Sequence, residues 1–284
     1  MGNVLLTADS PCDLGEDLKE CYQLHYYPYH IILEDREYTD GVDVTPDDLF
    51  RAYRERKVLP KTAAIGIGEY MEFFRPLVEQ GFEIVHFCLG SALSAAYQNC
   101  CAAAEELGHV YPIDARSLST GIGLQVLEAA EMARTGMPAA EIQKEARKLA
   151  DRSHASFILD TLEFMHAGGR CSTVAALGAN LLKLKPCIEV HPEKNGAMEV
   201  GKKYRGDLHK VLVQYTKDVL NRDDLQLDRV FITHSGIPQE YVDLVRDTII
   251  QCADFREIYA TRASCTISCH CGPNTLGVLF LTKE

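Results

Sequence analysis

The sequence predicts an α/β protein of two domains. Residues 1–155 form an N-terminal three-layer α/β domain on a parallel sheet, and residues 156–284 a C-terminal α+β domain with a mixed sheet. Three observations carry this expectation. The 284-residue length exceeds the roughly 100–200 residues of one ordinary domain. The first half repeats a strand, polar turn, helix unit three times. The second half abandons that rhythm for paired helices, a hairpin and separated strands.

The three units begin with NVLLTA (3–8), EIVHFCL (83–89) and HVYPID (109–114). Each run is apolar with little alternation, as expected of strands buried on both faces of a parallel sheet. Polar turns follow (DSPCD, GSALS, ARSLSTG), and then amphipathic stretches such as AAYQNCCAAAEELG. In such sheets ligands bind beyond the carboxyl ends of the strands. Ser10, Ser91, Ser94, Ser117 and Ser119 fall at those ends. Between the first two units lies DGVDVTPDDLFRAYRERKVLPKT. Thr45 is a good N-cap there, with Pro46 at the first helical position and Asp47 and Asp48 in the first turn. The helix is expected to end before Pro60.

EIQKEARKLADRS reads as a helix that closes the first domain. DTLEFMHAGG and STVAALGANLLKLK (172–185) then read as two helices. PCIEVHPEKNGAMEVGKKY reads as a hairpin with its turn at Asn195-Gly196. DRVFITHSG is a strand, PQEYVDLVRDTIIQCA an amphipathic helix, and REIYATRAS and TLGVLFLTKE are strands.

Composition narrows the function classes. The formal charge of −12 argues against general nucleic-acid binding, because an acidic chain repels the phosphate backbone. No apolar run approaches the ~18–20 residues of a membrane span. The opening MGNVLLTADS has neither the basic start nor the apolar length of a secretion signal. A cytoplasmic location is the expectation, with transient membrane contact left open. The 11 cysteines follow no disulfide framework and read as free thiols. Cys265, Cys269 and Cys271 cluster around His270, but their spacing lacks the second pair of a zinc site, so no metal or other cofactor is expected.

Four places could carry chemistry. In GSALSAAYQ, Ser91 and Ser94 lie three apart at an expected helix start, where free N–H groups attract anions. Plain N-capping by Ser91 is the alternative. In HAGGRCST, Gly168 or Gly169 can end one helix in the left-handed conformation and Ser172 can cap the next. Arg170 then stands at the positive end of a helix dipole, either solvated or balanced by an anion. His270, in CHCGPNTLG, reads as a residue beside a turn at a strand edge, either a switchable donor or a satisfied structural group. Thr62, in KTAAIGIGEY, is a lone hydroxyl after a loop.

The order of these segments is more telling than any one of them. DSPCDL, DGVDVTPDDLF, KT, SALSAAYQ, LDTLEFMHAGGR and HCGPNTLG resemble, in succession, the landmarks of the DegV family of bacterial fatty-acid-binding proteins. The resemblance runs from Ala8 to about Phe280. It implies two α/β domains around one long-chain fatty acid, with the tail in a buried apolar tunnel. It also implies that the loaded protein presents the acid to a fatty acid kinase, which makes an acyl phosphate for phospholipid synthesis, and that the binding protein is not itself an enzyme. Thr62, Ser94 and His270 match the family positions around the carboxylate, and Arg170 the nearby cation; Ser91 and Gly169 are secondary candidates. Ala63 stands where the family usually has serine, GSALSAAY has lost a serine and a threonine, and Asn274 replaces a glycine. An acyl-ester hydrolase or acyltransferase using Ser94 and His270 is the competing expectation, although no acidic third member or nucleophile elbow accompanies them.

Overall fold

The computed structural model describes residues 3–175 and 184–283. The N-terminal part comprises β1 (Val4–Asp9), α1 (Glu16–Tyr22), β2 (His25–Tyr27), β3 (His30–Leu33), β4 (Arg36–Thr39), α2 (Pro46–Arg56), β5 (Lys61–Ala63), α3 (Ile67–Glu79), β6 (Glu83–Cys88), α4 (Ala96–Leu107), β7 (Val110–Asp114), α5 (Thr120–Arg134) and α6 (Ala139–Arg152). There follow β8 (Ser153–Ile158), α7 (Glu163–Gly168), α8 (Ser172–Ala175), β9 (Leu184–His191), β10 (Ala197–Arg205), α9 (Leu208–Leu220), β11 (Leu225–His234), α10 (Gln239–Cys252), β12 (Glu257–Arg262), α11 (Cys265–Cys271) and β13 (Leu276–Thr282).

The strands of the three units form the expected parallel sheet, with the unforeseen β2 added at one edge, in the order β2-β1-β6-β7. The chain leaves β1 for β2 on one side and later returns to β6 on the other. The carboxyl ends of β1 and β6 therefore flank a topological switch point, where such sheets leave a crevice. The second sheet is mixed, ordered β10-β9-β8-β13-β11-β12, with only β11 and β12 parallel.

Side-chain alternation divides the mixed sheet between two cores. Phe157, Phe231 and Leu279 face a core shared with the parallel sheet. Their neighbours Ile158, Val230, Ile232, Val278 and Phe280 face a second core under α9 and α10. This is the period-2 consequence of the pleat. Helix α5 lies between the two sheets, touching β1 and β6 on one and β8 and β13 on the other. Its residues from Thr120 to Leu127 are all buried, as a helix covered all round requires.

A small antiparallel sheet, β4-β3-β5, was not foreseen from the sequence. It packs Ile31 and Leu33 with Leu49 and Ala52 of α2 and with Cys265 and Cys269 of α11. Helix α2 starts as expected: Thr45 and Asp48 form a reciprocal capping box with Pro46 at the first turn.

Three local expectations need correction. Helix α4 begins at Ala96 rather than Ser91, and residues 91–95 form a turn. The helix expected over 172–185 is present at Ser172–Ala175; residues 176–183 lie outside the described residues, and Leu184 already begins β9. His270 sits in the last turn of α11, not beside a turn at a strand edge. Asp40 holds the start of that helix, accepting from the N–H groups of Cys265 (2.8 Å) and Thr266 (3.1 Å).

The expected Asn195-Gly196 turn closes β9 onto β10. Both residues have positive φ, 58° and 84°. The turn docks on the N-terminal loops: Ala92 N–H donates to the Asn195 carbonyl at 3.1 Å, and a Cβ on Gly196 would lie 2.8 Å from the Arg116 carbonyl carbon.

Candidate functional site: a cavity at the switch point

A cavity of about 210 Å³ opens where β5, the loops after β6 and β7, β10 and α11 meet. Thr62, Ser94, Arg170 and His270 all line it, although they are spread over more than 200 residues of sequence. Leu89, Leu93, Leu118, Met198 and Ile267 supply the apolar wall. Leu118, Ile267 and Cys271 also bound a narrower apolar space of about 20 Å³ on their far side. Ser91 and Gly169 do not line the cavity: Ser91 donates its backbone N–H to Asp114, and Gly169 forms the turn after α7. Of the five serines at strand ends, only Ser94 lines it. Ser10 bonds Asp40, Ser119 bonds Asp13, and Ser117 bonds Ser153.

Each polar group reaches the cavity through specific local structure. Thr62 is held in β5 by pairing with Ile31 of β3. Its hydroxyl lies 3.0 Å from His270 Nε2. Burial, and then the Arg170 cation, push the His270 pKa down to about 4, so the imidazole is neutral at pH 7. Its Nδ1 is buried without a hydrogen-bond partner. A buried lone pair is tolerated better than a buried orphaned N–H, which favours the tautomer with the proton on Nε2, donated to Thr62.

The two glycines before Arg170 have different roles. Gly168 packs against the imidazole so closely that a Cβ there would lie 2.2 Å from His270 Nδ1. Gly169 has φ +68° and ends α7, its N–H donating to the Met165 carbonyl at 3.2 Å. The chain then turns sharply enough to bring Arg170 to the cavity. The exposed Arg170 folds back, Nη1 donating to the Gly168 carbonyl at 2.6 Å. No carboxylate among the described residues pairs with it.

Ser94 stands in the turn before α4. Its Oγ accepts from the Ala96 N–H at 3.2 Å and from the Tyr29 hydroxyl at 3.0 Å. No hydrogen bond joins Ser94 to His270, so the serine and imidazole needed for nucleophilic catalysis are not paired. Tyr29 had no signal in the sequence beyond its place in an aromatic run, and its role depends on β3 and the α4 turn coming together.

Behind the cavity lies a buried polar network. Asp9, at the end of β1, accepts from His86 Nε2 (3.0 Å), the Tyr70 hydroxyl (2.6 Å) and the Leu89 N–H (3.1 Å). Burial alone would lower the pKa of His86, but Cys88 and the bond to Asp9 outweigh it and hold it up to about 9. His86, Cys88 and Cys100 are the one trio of possible metal ligands clustered among the described residues. Thr7 and Asp9 already engage both nitrogens of that imidazole. The cysteines around His270 are divided: Cys265 and Cys269 pack into the small-sheet core and Cys271 into the shared core.

Comparison with known proteins agrees with this architecture. A family model described as "Uncharacterised protein, DegV family" matches residues 3–283. DegV domain-containing proteins of Caldanaerobacter subterraneus and Clostridium perfringens are 26% and 28% identical, each alignment covering the whole of both chains. Among solved structures, a Thermus thermophilus DegV family protein described for its fatty acid binding superposes with a TM-score of 0.87 at 24% identity, covering 98% of this chain and 99% of that one. A stearic acid-binding protein of Eubacterium ventriosum gives 0.84 at 22% identity, covering 100% and 99%. A Eubacterium eligens DegV protein loaded with heptadecanoic acid also gives 0.84, at 21% identity over 99% and 100%. With a family model matched over residues 3–283 and the fold of these solved structures shared, this chain belongs to the DegV family.

Proposed function

We propose that the protein binds one long-chain fatty acid, with its carboxylate among Thr62, Ser94, His270 and Arg170 and its tail against the apolar wall. One observation carries the reading: four polar groups distant in sequence converge on one cavity whose other lining is mostly apolar, Tyr29 and Thr266 excepted. The fatty acids held by relatives of the same fold support it. Two hydroxyls, one of them backed by a neutral imidazole, and a guanidinium suit a carboxylate, which is costly to bury unless hydrogen-bonded. About fifteen buried methylenes contribute roughly 12 kcal/mol gross at ~0.8 kcal/mol each. The cavity is smaller than the roughly 300–1,000 Å³ of typical ligand sites. A long tail therefore requires lining side chains to move, because joining the narrow space beyond Leu118, Ile267 and Cys271 adds only about 20 Å³.

The protein acts as a carrier rather than an enzyme in this reading, because Ser94 is bonded to Tyr29 and a backbone N–H instead of a base. It works in the cytoplasm and presents the acid to a fatty acid kinase for acyl phosphate formation, with Arg170 exposed beside the head group. No helix among the described residues is long and apolar enough to cross a membrane.

Lipid extraction and mass spectrometry of natively purified protein should return one long-chain acid per chain. Ser94→Ala and His270→Ala should weaken uptake while leaving the folded state intact. A delipidated protein that takes up no long-chain acid would sink the proposal.

A further inference from the structure

The hydrogen bonds of Ser94 leave one atom unaccounted for. A serine hydroxyl has two acceptor lone pairs and one proton to donate. Both acceptor positions are filled, by the Tyr29 hydroxyl and the Ala96 N–H. The proton has no acceptor among the described residues, and the side chain lines the cavity. We infer that Tyr29 is a positioning residue: by donating to Ser94 it fixes the serine as an acceptor towards the protein and turns the serine's own proton into the cavity, towards an anionic head group. The inference rests on the fatty-acid reading and adds a residue that does its work through Ser94.

The surroundings of Tyr29 support this direction. Its side chain is buried at 2% exposure, and its backbone N–H donates to Ser10 Oγ, which in turn donates to Asp40. The backbone that carries the phenol is thus fixed from behind. Asp9 is the competing acceptor nearby, but three donors already occupy it: His86, Tyr70 and the Leu89 N–H. Burial and the charge of Asp9 raise the Tyr29 pKa well above its usual value, so the phenol keeps its proton. Were the bond reversed, Ser94 would spend its proton on Tyr29 and have none for a ligand. Thr62 and His270 repeat the arrangement on β5, with a donor behind a hydroxyl.

The test is a double-mutant cycle on the delipidated full chain, with palmitate as probe and hexadecanol, which keeps the tail but lacks the anion, as control. Tyr29→Phe should weaken palmitate binding about three- to tenfold, the value of one hydrogen bond, and hexadecanol binding less. In a Ser94→Ala background, Tyr29→Phe should have no further effect. Unchanged palmitate affinity in Tyr29→Phe would overturn the inference, as would an equal loss in both backgrounds, which would mean that Tyr29 acts by packing. If Tyr29→Phe does not fold, 3-fluorotyrosine at position 29 keeps the shape and strengthens the donor; tighter palmitate binding supports the inference and weaker binding overturns it. Failure of the unmodified protein to bind palmitate is a separate outcome: it removes the fatty-acid reading, and this inference with it.

Discussion

Replacing Gly168 with alanine separates the two glycines before Arg170. The added methyl would lie 2.2 Å from His270 Nδ1, 3.1 Å from Cε1 and 3.3 Å from Cγ, so the imidazole must move. Gly168 is the last helical residue of α7, where alanine is favoured over glycine by about 1 kcal/mol. Overpacking costs about 1–3 kcal/mol, and loss of the Thr62–His270 bond adds about 1 kcal/mol. The net destabilisation is about 1–3 kcal/mol. Palmitate affinity should fall about fivefold as Thr62 loses the donor behind it. Gly169→Ala is the control: nothing lies within 4 Å of its Cβ, but its φ of +68° makes alanine unfavourable by about 1–2 kcal/mol. It should destabilise without changing affinity. Urea unfolding and titration calorimetry on both variants give the two readouts. Normal affinity in Gly168→Ala with reduced affinity in Gly169→Ala would refute the assignment of ring packing to the first glycine and chain reversal to the second.

The remaining predictions concern titration, the hairpin and a cap. Burial holds His154, His234 and His270 down to about 4, so the unfolded chain binds more protons than the folded one between pH 4 and 6.5, and stability should fall as pH drops through that window. His86 works in the opposite sense: its pKa of about 9 adds stability that is complete below pH 6.5 and lost as pH rises through 9. Imidazole NMR titrations resolve the four groups, and midpoints near 6.5 would contradict these environments. Gly196→Ala should cost about 2–5 kcal/mol by thermal unfolding, because it combines positive φ with a 2.8 Å clash against Arg116; a neutral effect would mean that the hairpin does not dock there. Thr45→Ala should lose about 1 kcal/mol in urea unfolding, the worth of its capping box, and no loss would show the cap to be dispensable.

Legibility in the sequence followed the range of the interactions. β1, β6 and β7, α2, α10 and the β9–β10 turn were readable because apolar runs, capping residues and an Asn-Gly pair act within a few positions, whereas the three-residue β2 was not. Helix α11 was not: CTISCHC is short and made of residues with poor helix propensity, and carboxylates about 225 and 250 residues away hold its start, Asp40 at Cys265 and Asp13 at Ser264. The small sheet escaped because its strands are only three or four residues long. At the site, local patterns raised Ser94, Arg170 and His270 only as candidates with bland alternatives, and the ordered landmarks joined them with Thr62 in one role. Tyr29 and the role of Gly168 become visible only when β3, the α4 turn, α7 and α11 are brought together in space.

Docking of the Asn195-Gly196 turn links a surface loop to the inside of the cavity. Met198, two residues beyond the turn, forms part of the cavity wall, while Gly196 rests on the Arg116 backbone. A ligand that fills the cavity therefore bridges the two sheets, and its binding energy adds to the cohesion between them by mass action. Thermal stability would then rise with occupancy, and the interface between the sheets, rather than either sheet itself, would gain most of the protection.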